Sequence, residues 1–148
     1  LPVLSAVENV ELPLLVSSSS SNQARRLSLA ILDRLGLKDW AQHLPGELSG
    51  GQRQRVTIAR ALVNEPAIVW ADEPTGDLDS ETAGEIMDLL KHLNEVNRQT
   101  IVMVTHAPEI GQQAHRIVRM RDGQIEDYHA DSATETMASI VEETKEVD

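Results

Sequence analysis

The sequence predicts an α/β fold in which a helical first half leads into a parallel strand–helix–strand unit and a terminal hairpin. Three observations predict it. Ala67-Ile68-Val69-Trp70-Ala71 is a continuous apolar run without alternation, the pattern of a strand buried on both faces of a parallel sheet. A second such run, Thr100–Thr105, follows a helix-length segment, as the long crossover between parallel strands requires. Asp122-Gly123, between Arg116–Met120 and Gln124–Glu126, is a two-residue hairpin signal.

In order along the chain, Ser5-Ala6-Val7-Glu8 is a capping box that opens a helix with Val7, Val10, Leu14 and Leu15 as its apolar residues. Pro13 is expected to bend or end it. Ser17–Ser21 is a low-complexity run, expected to be a flexible surface loop. From Gln23 to Leu35 the apolar positions Leu27, Ala30, Ile31 and Leu35 repeat with helical spacing, and Gly36 supplies the stop. Trp40 and Leu44 form a small apolar cluster before a turn at Pro45-Gly46. Ser80 is expected to cap the crossover helix, whose apolar face carries Ile86, Leu89, Leu90, Leu93 and Val96. A last capping box, Ser132-Ala133-Thr134-Glu135, precedes a short helix marked by Met137, Ile140 and Val141.

Bulk properties narrow the function classes. The 148 residues, 41% of them hydrophobic, suffice for one domain with a real core. No apolar run is long enough to cross a bilayer, and without cysteine there is no disulfide, thiolate metal site or thiol nucleophile. The net charge of −11 is uneven: residues 126–148 hold eight acids against one lysine, leaving sixteen acids and twelve bases before them. That balance speaks against binding nucleic acid by phosphate neutralisation, and the acidic end is expected to be solvated. The start at Leu1, with no basic segment ahead of an apolar one, is expected to be an interior position of a longer protein.

Chemistry-bearing residues cluster in four places. Leu48-Ser49-Gly50-Gly51-Gln52 precedes the basic run Arg53-Gln54-Arg55, and Val56, Ile58, Ala59 and Leu62 continue as a helix. A helix opened by a serine cap and two glycines presents N–H donors and the positive end of the macrodipole to an anion; a Gly-Gly turn before an ordinary helix has the same local wording. The first strand ends in Asp72-Glu73. An apolar run into an acidic pair holds Mg²⁺ and its nucleotide in P-loop ATPases, with Asp72 at the metal and Glu73 taking a proton from an attacking water; an acidic pair also ends a strand and caps a turn. The second strand ends in Thr105-His106, where an imidazole could reach a γ-phosphate or serve as a polar loop residue. Gly76-Asp77-Leu78-Asp79 is by itself turn chemistry.

In this order and at about these spacings, the four stretches resemble the LSGGQ signature, Walker B strand, D-loop and switch histidine of the ATPase subunit of ABC transporters. The resemblance covers roughly residues 1–126, and the signature pentapeptide is unsubstituted. Glu8-Asn9-Val10 fits the segment after the Q-loop, and Glu73-Pro74-Thr75-Gly76-Asp77-Leu78-Asp79 is similar to cassettes of the lipoprotein-release and macrolide-export group.

The resemblance implies a P-loop NTPase fold divided into a helical signature subdomain (1–63), the C-terminal part of the ATPase core (64–126) and an acidic tail (127–148). It implies ATP and Mg²⁺ as ligands, with Ser49, Gly50, Gly51, Gln52 and Asp79 at the nucleotide, Asp72 at the metal, and Glu73 and His106 in catalysis. Its partners would be a second cassette, packed head to tail so that each signature serves the other's ATP, and a transmembrane permease; no nucleic acid is expected. The location would be peripheral, on the cytoplasmic face of the membrane.

One element of the family pattern is missing. No G-x-x-x-x-G-K-[ST] loop is present: Gly46 and Gly51 have the right separation, but Gln52 and Arg53 stand where Lys and Ser/Thr are required. The chain is therefore expected to be the C-terminal part of a cassette, inactive alone, with the P-loop and the Q-loop glutamine upstream. The alternatives are a cassette ATPase outside transport, in DNA repair, chromosome maintenance or at the ribosome, or a non-catalytic binding module.

Overall fold

A computed structural model describes residues 1–130, with side chains through Glu126. The expected helix after Ser132 lies outside the described residues. The chain forms two compact units, one spanning Leu1–Val104 and one beginning at Thr105.

The first unit opens with α1 (Ala6–Val16), α2 (Ser21–Arg34) and α3 (Gly50–Leu62). Ser5 caps α1 as expected: its N–H donates to Glu8 Oε2 at 2.8 Å and its Oγ accepts the Glu8 amide at 3.4 Å. Those hydrogen bonds hold the Glu8 carboxyl below its ordinary range. Two more first-turn amides, of Ala6 and Val7, donate to the His43 and Ala41 carbonyls at 2.8 Å each, so the loop after α2 closes the start of α1. Pro13 does not end the helix, which runs three residues further to Val16. A proline removes one backbone bond, whereas Val10 and Leu14 on either side of it are buried and hold the segment down.

The serine run is a tight turn rather than a loop. Ser18 takes a left-handed φ of 71°, Ser20 caps α2 by accepting the Gln23 amide, and Ser21 is already helical. The buried stripe of α2 is Ala24, Ser28, Ile31 and Leu32, followed by Leu35. Leu27 is only half-buried and Ala30 is exposed, so the stripe lies to one side of the expected one. Gly36, at φ 74°, provides the left-handed stop. Leu15, Trp40 and Leu44 are exposed, with Trp40 tilted against His43; Leu37 and Ala41 fill the core beside them instead. The helix α1 packs on both α2 and α3, and α3 packs on α4 (Ser80–Asn97).

The rest of this unit is the expected parallel crossover: β1 (Ile68–Asp72), α4 (Ser80–Asn97) and β2 (Thr100–Val104), with Ile68 opposite Thr100 and Asp72 opposite Val104. The cap of α4 is Asp79, not Ser80, because its carboxylate accepts the Thr82 amide at 3.0 Å. Ile86, Met87, Leu90 and Leu93 are buried, whereas Val96 is exposed. The strands are not buried on both faces. Val69 is 7% exposed but Trp70 is 73% exposed, since two strands and one helix cover a single face. Gln99 ties the start of the ladder: its side-chain N–H₂ lies 3.1 Å from the Pro66 carbonyl, 3.4 Å from that of Ala67 and 3.2 Å from that of Thr100.

The second unit holds α5 (Pro108–Gly111) and an antiparallel hairpin, β3 (Arg116–Arg121) with β4 (Gln124–Ala130), interrupted by a bulge at Arg119/Met120. Asp122 and Gly123 turn it with φ of 49° and 79°, the left-handed pair that a two-residue turn requires.

Candidate functional site

Ser49 and Gln52 cap α3 reciprocally: Gln52 Oε1 accepts the Ser49 N–H at 2.8 Å, and Ser49 Oγ accepts the Gln52 N–H at 3.2 Å. The first-turn N–H groups of Gly50 and Gly51 have no partner among the described residues, so two backbone donors remain at the positive end of the helix. Leu48 is buried beneath this start, and its carbonyl accepts from Arg53 Nη1 at 2.7 Å.

The two glycines have a second reason to be there. A Cβ on Gly51 would stand 2.6 Å from Thr82 Cγ2, and one on Gly50 would stand 3.1 Å from Leu78 Cδ2. The start of α3 therefore lies against the Leu78–Thr82 segment, and glycine is what permits that approach. One turn along both helices, Arg55 Nη2 pairs with Glu85 Oε2 at 3.1 Å.

Asp72 ends β1 and is exposed. Glu73 follows it, half-buried, with its N–H donating to the Val104 carbonyl at 2.9 Å. Its backbone is left-handed, φ 46°, which costs a glutamate about 1 kcal/mol and turns the chain sharply off the strand. Two interlocking turns, Gly76 N–H to Glu73 O at 3.2 Å and Leu78 N–H to Thr75 O at 3.1 Å, carry the chain from there to Asp79. Asp79 Oδ1 accepts the Thr82 amide at 3.0 Å and Oδ2 accepts the Thr82 hydroxyl at 2.7 Å. These donors hold the Asp79 carboxyl below the usual carboxylate range. His106 belongs to the second unit, exposed, beside Ala107, whose N–H donates to Thr105 Oγ1 at 3.1 Å.

Thus the fold brings Ser49–Gln52 together with the segment leading to Asp79, and the Asp72–Asp79 stretch is one continuous turn at the end of β1. No three His, Asp or Glu side chains among the described residues group into a metal site. Asp72 is a single exposed carboxylate, which fits Mg²⁺, an ion that takes one or two protein carboxylates and fills its shell with phosphate and water. Sequence reasoning missed Leu78 and Thr82. The signal for Thr82 was present: it lies three residues after Asp79, where a capping aspartate finds its amide.

The profile of the family described as ABC transporter matches residues 1–76, just over half of the chain. The chain belongs to the ABC transporter family. It is 50% identical over 128 residues to the macrolide export ATP-binding/permease protein MacB of Syntrophobacter fumaroxidans, covering 85% of this chain and 18% of that protein. It is also 50% identical over 125 residues to the uncharacterized ABC transporter ATP-binding protein YknY of Bacillus subtilis, covering 84% of this chain and 54% of that one. A solved dimeric structure of the ATP-binding cassette MJ0796 of Methanocaldococcus jannaschii, in a post-hydrolysis state with ADP and Pi, superposes with a TM-score of 0.74 at 45% identity. That match covers 88% of this chain and 58% of the other. The fold is accordingly that of an ABC ATPase cassette, a P-loop NTPase fold, and the chain spans about half the length of YknY and MJ0796.

Proposed function

We propose that this chain is the signature-bearing part of an ATP-hydrolysing subunit that drives an ABC transporter of the macrolide-export type. The observation that carries the proposal is the start of α3, where a reciprocal cap leaves the Gly50 and Gly51 N–H groups unpartnered beside the loop that runs from Asp72-Glu73 to Asp79.

Each residue then has a role. The Ser49 hydroxyl and the amides of Gly50 and Gly51 donate to the γ-phosphate of an ATP held by a second, head-to-tail cassette, with Gln52 fixing the cap and Asp79 bordering that nucleotide. Asp72 holds Mg²⁺, which when bound neutralises phosphate charge. Glu73 orients the attacking water and takes its proton, and the left-handed backbone beneath it fixes its carboxylate at the end of the strand. His106 hydrogen-bonds the γ-phosphate of the ATP held by its own cassette, the one that Asp72 and Glu73 also serve. The segments 1–63, 64–126 and 127–148 are the signature subdomain, the C-terminal core and the acidic tail.

An upstream segment supplies the P-loop and the packed layer that covers the open face of β1 and β2. The relatives named as ATP-binding/permease proteins support a membrane permease as partner, and a dimeric neighbour supports the second cassette. No helix among the described residues is long and apolar enough to cross a membrane. The proposed location is peripheral, on the cytoplasmic face, and nucleic acid has no part.

The test is to measure ATP hydrolysis by the cassette with its P-loop segment joined upstream, then with Glu73→Gln. Hydrolysis that falls at least a hundredfold in the variant is expected; a rate unchanged by the substitution sinks the assignment of Glu73. Residues 1–148 alone should bind Mg-ATP weakly by calorimetry, and tight binding would contradict the half-site.

A further inference from the structure

We propose that Thr82 is a positioning residue that locks the start of α3 to the cap of α4, so that Ser49–Gln52 and Asp79 are presented as one rigid edge. This rests on the proposed role of that edge at a partner's nucleotide.

One side chain makes both halves of the lock. The Thr82 hydroxyl donates to Asp79 Oδ2 at 2.7 Å while its backbone N–H donates to Oδ1 at 3.0 Å, which fixes its rotamer. The methyl group on the same Cβ is thereby aimed at Gly51, where a Cβ would stand only 2.6 Å away. No real Cβ contact is that short, so any side chain at position 51 would collide with the Thr82 methyl. Leu78 sets a similar limit on Gly50, where a Cβ would stand 3.1 Å from Leu78 Cδ2, from the other side of Asp79 in sequence. The pairing of Arg55 with Glu85 then holds α3 and α4 together one turn further on.

Two demands therefore fall on Gly51. A phosphate approaching its N–H needs the backbone bare, and Thr82 needs the same backbone bare from within the chain. The lock predicts that the second demand dominates and that it is specific to the threonine methyl. Serine at position 82 keeps the hydroxyl bond to Asp79 and removes the methyl, making room for a Cβ at position 51. The two positions are thus coupled through a single methyl group.

The experiment uses the cassette with its P-loop segment, comparing Gly51→Ala, Thr82→Ser and the double variant by thermal unfolding and by steady-state ATP hydrolysis. Gly51→Ala is expected to lower the unfolding midpoint and to reduce kcat at least tenfold, with KM for ATP changed less than threefold. Thr82→Ser added to it should recover most of both losses. If Gly51→Ala alone yields no folded protein, recovery of a cooperatively unfolding double variant is the same supporting result. A double variant as impaired as Gly51→Ala in both readouts overturns the lock. Stability recovered without kcat leaves Thr82 as packing only and overturns its positioning role. The unfolding measurements do not depend on hydrolysis, so they test the lock even if the parent cassette proves inactive.

Discussion

The three-helix part of this chain and its two-stranded sheet solve burial in opposite ways. In the helical part Ala6, Val7, Val10, Ala24 and Leu32 are completely buried, and the buried Asn9 is tied down, its Nδ2 reaching the carbonyls of Leu1, Leu4 and Ser5. In the sheet one face is packed on α4 while Ile68, Trp70 and Val104 stand exposed. A helix can bury its stripe against one neighbour, but a strand has two faces and an apolar run needs both covered. An apolar strand with a bare face is therefore written for neighbours beyond α4, whereas the helical part finds its partners in its own helices and α4.

The largest difference is expected in the core. Leu32→Ala should destabilise the chain by about 2–5 kcal/mol in denaturant unfolding, because a fully buried leucine leaves a cavity. Trp70→Ser should cost less than about 0.5 kcal/mol, despite removing a much larger side chain, because that chain is already in water. Equal losses at the two positions would refute the contrast.

An effect smaller than that of Leu32→Ala is expected at the buried edge of the helical part, where Arg25 Nε meets Glu11 Oε1 at 2.6 Å. The N–H does not point at that oxygen, so this is a charge contact without an aligned hydrogen bond. Burial raises the Glu11 carboxyl above its ordinary range and Arg25 opposes that rise. Arg25→Ala should cost about 1–2 kcal/mol at neutral pH, less than a fully buried pair because the arginine is 42% exposed. A carboxyl raised in the folded state favours folding below the unfolded value and loses that advantage as pH rises through the folded value. The variant's deficit should accordingly shrink as pH is lowered into the carboxylate range, and a pH-independent deficit would show that Glu11 is not its source.

Among the losses, the smallest beyond that of Trp70→Ser belongs to a cap. Ser49→Ala should cost about 1 kcal/mol of stability, since Gln52 loses the partner for its amide. In the joined cassette it should lower kcat well beyond what so small a stability loss explains, which a paired unfolding and hydrolysis measurement would resolve.

What the sequence made legible follows from the range of the interactions involved. Caps, stops and turns are local, so Ser5, Ser49, Gly36 and Asp122-Gly123 were found where they act. The parallel crossover was also legible, because two apolar runs separated by a helix permit little else. Faces were not: Trp70 looks like core until the number of layers is known, and Leu15 and Ala30 fell on the wrong side of their helices by a rotation that only packing settles. Ser80 was mistaken for the cap because serine and aspartate are adjacent and equally good at the task. At the site, the residue types at positions 49–52, 72, 73 and 79 stood out by spacing. The contacts of Thr82 and Leu78 with the glycines lie some 30 residues away in sequence and leave no local pattern.

Gln99 sits far from that chemistry, yet it bears on where the chemistry is placed. Parallel strands have no hairpin turn to fix their offset, so β1 and β2 need some other ruler. The Gln99 side chain, reaching back to Pro66 and Ala67, marks the zero of that ruler at the first pair of the ladder. Five residues on, the same offset delivers the Val104 carbonyl to the Glu73 amide. A slip of one position would turn each side chain of β1, Asp72 included, to the other face of the sheet. The placement of the acidic pair is thus measured from the far end of the sheet, by an amide that touches none of it.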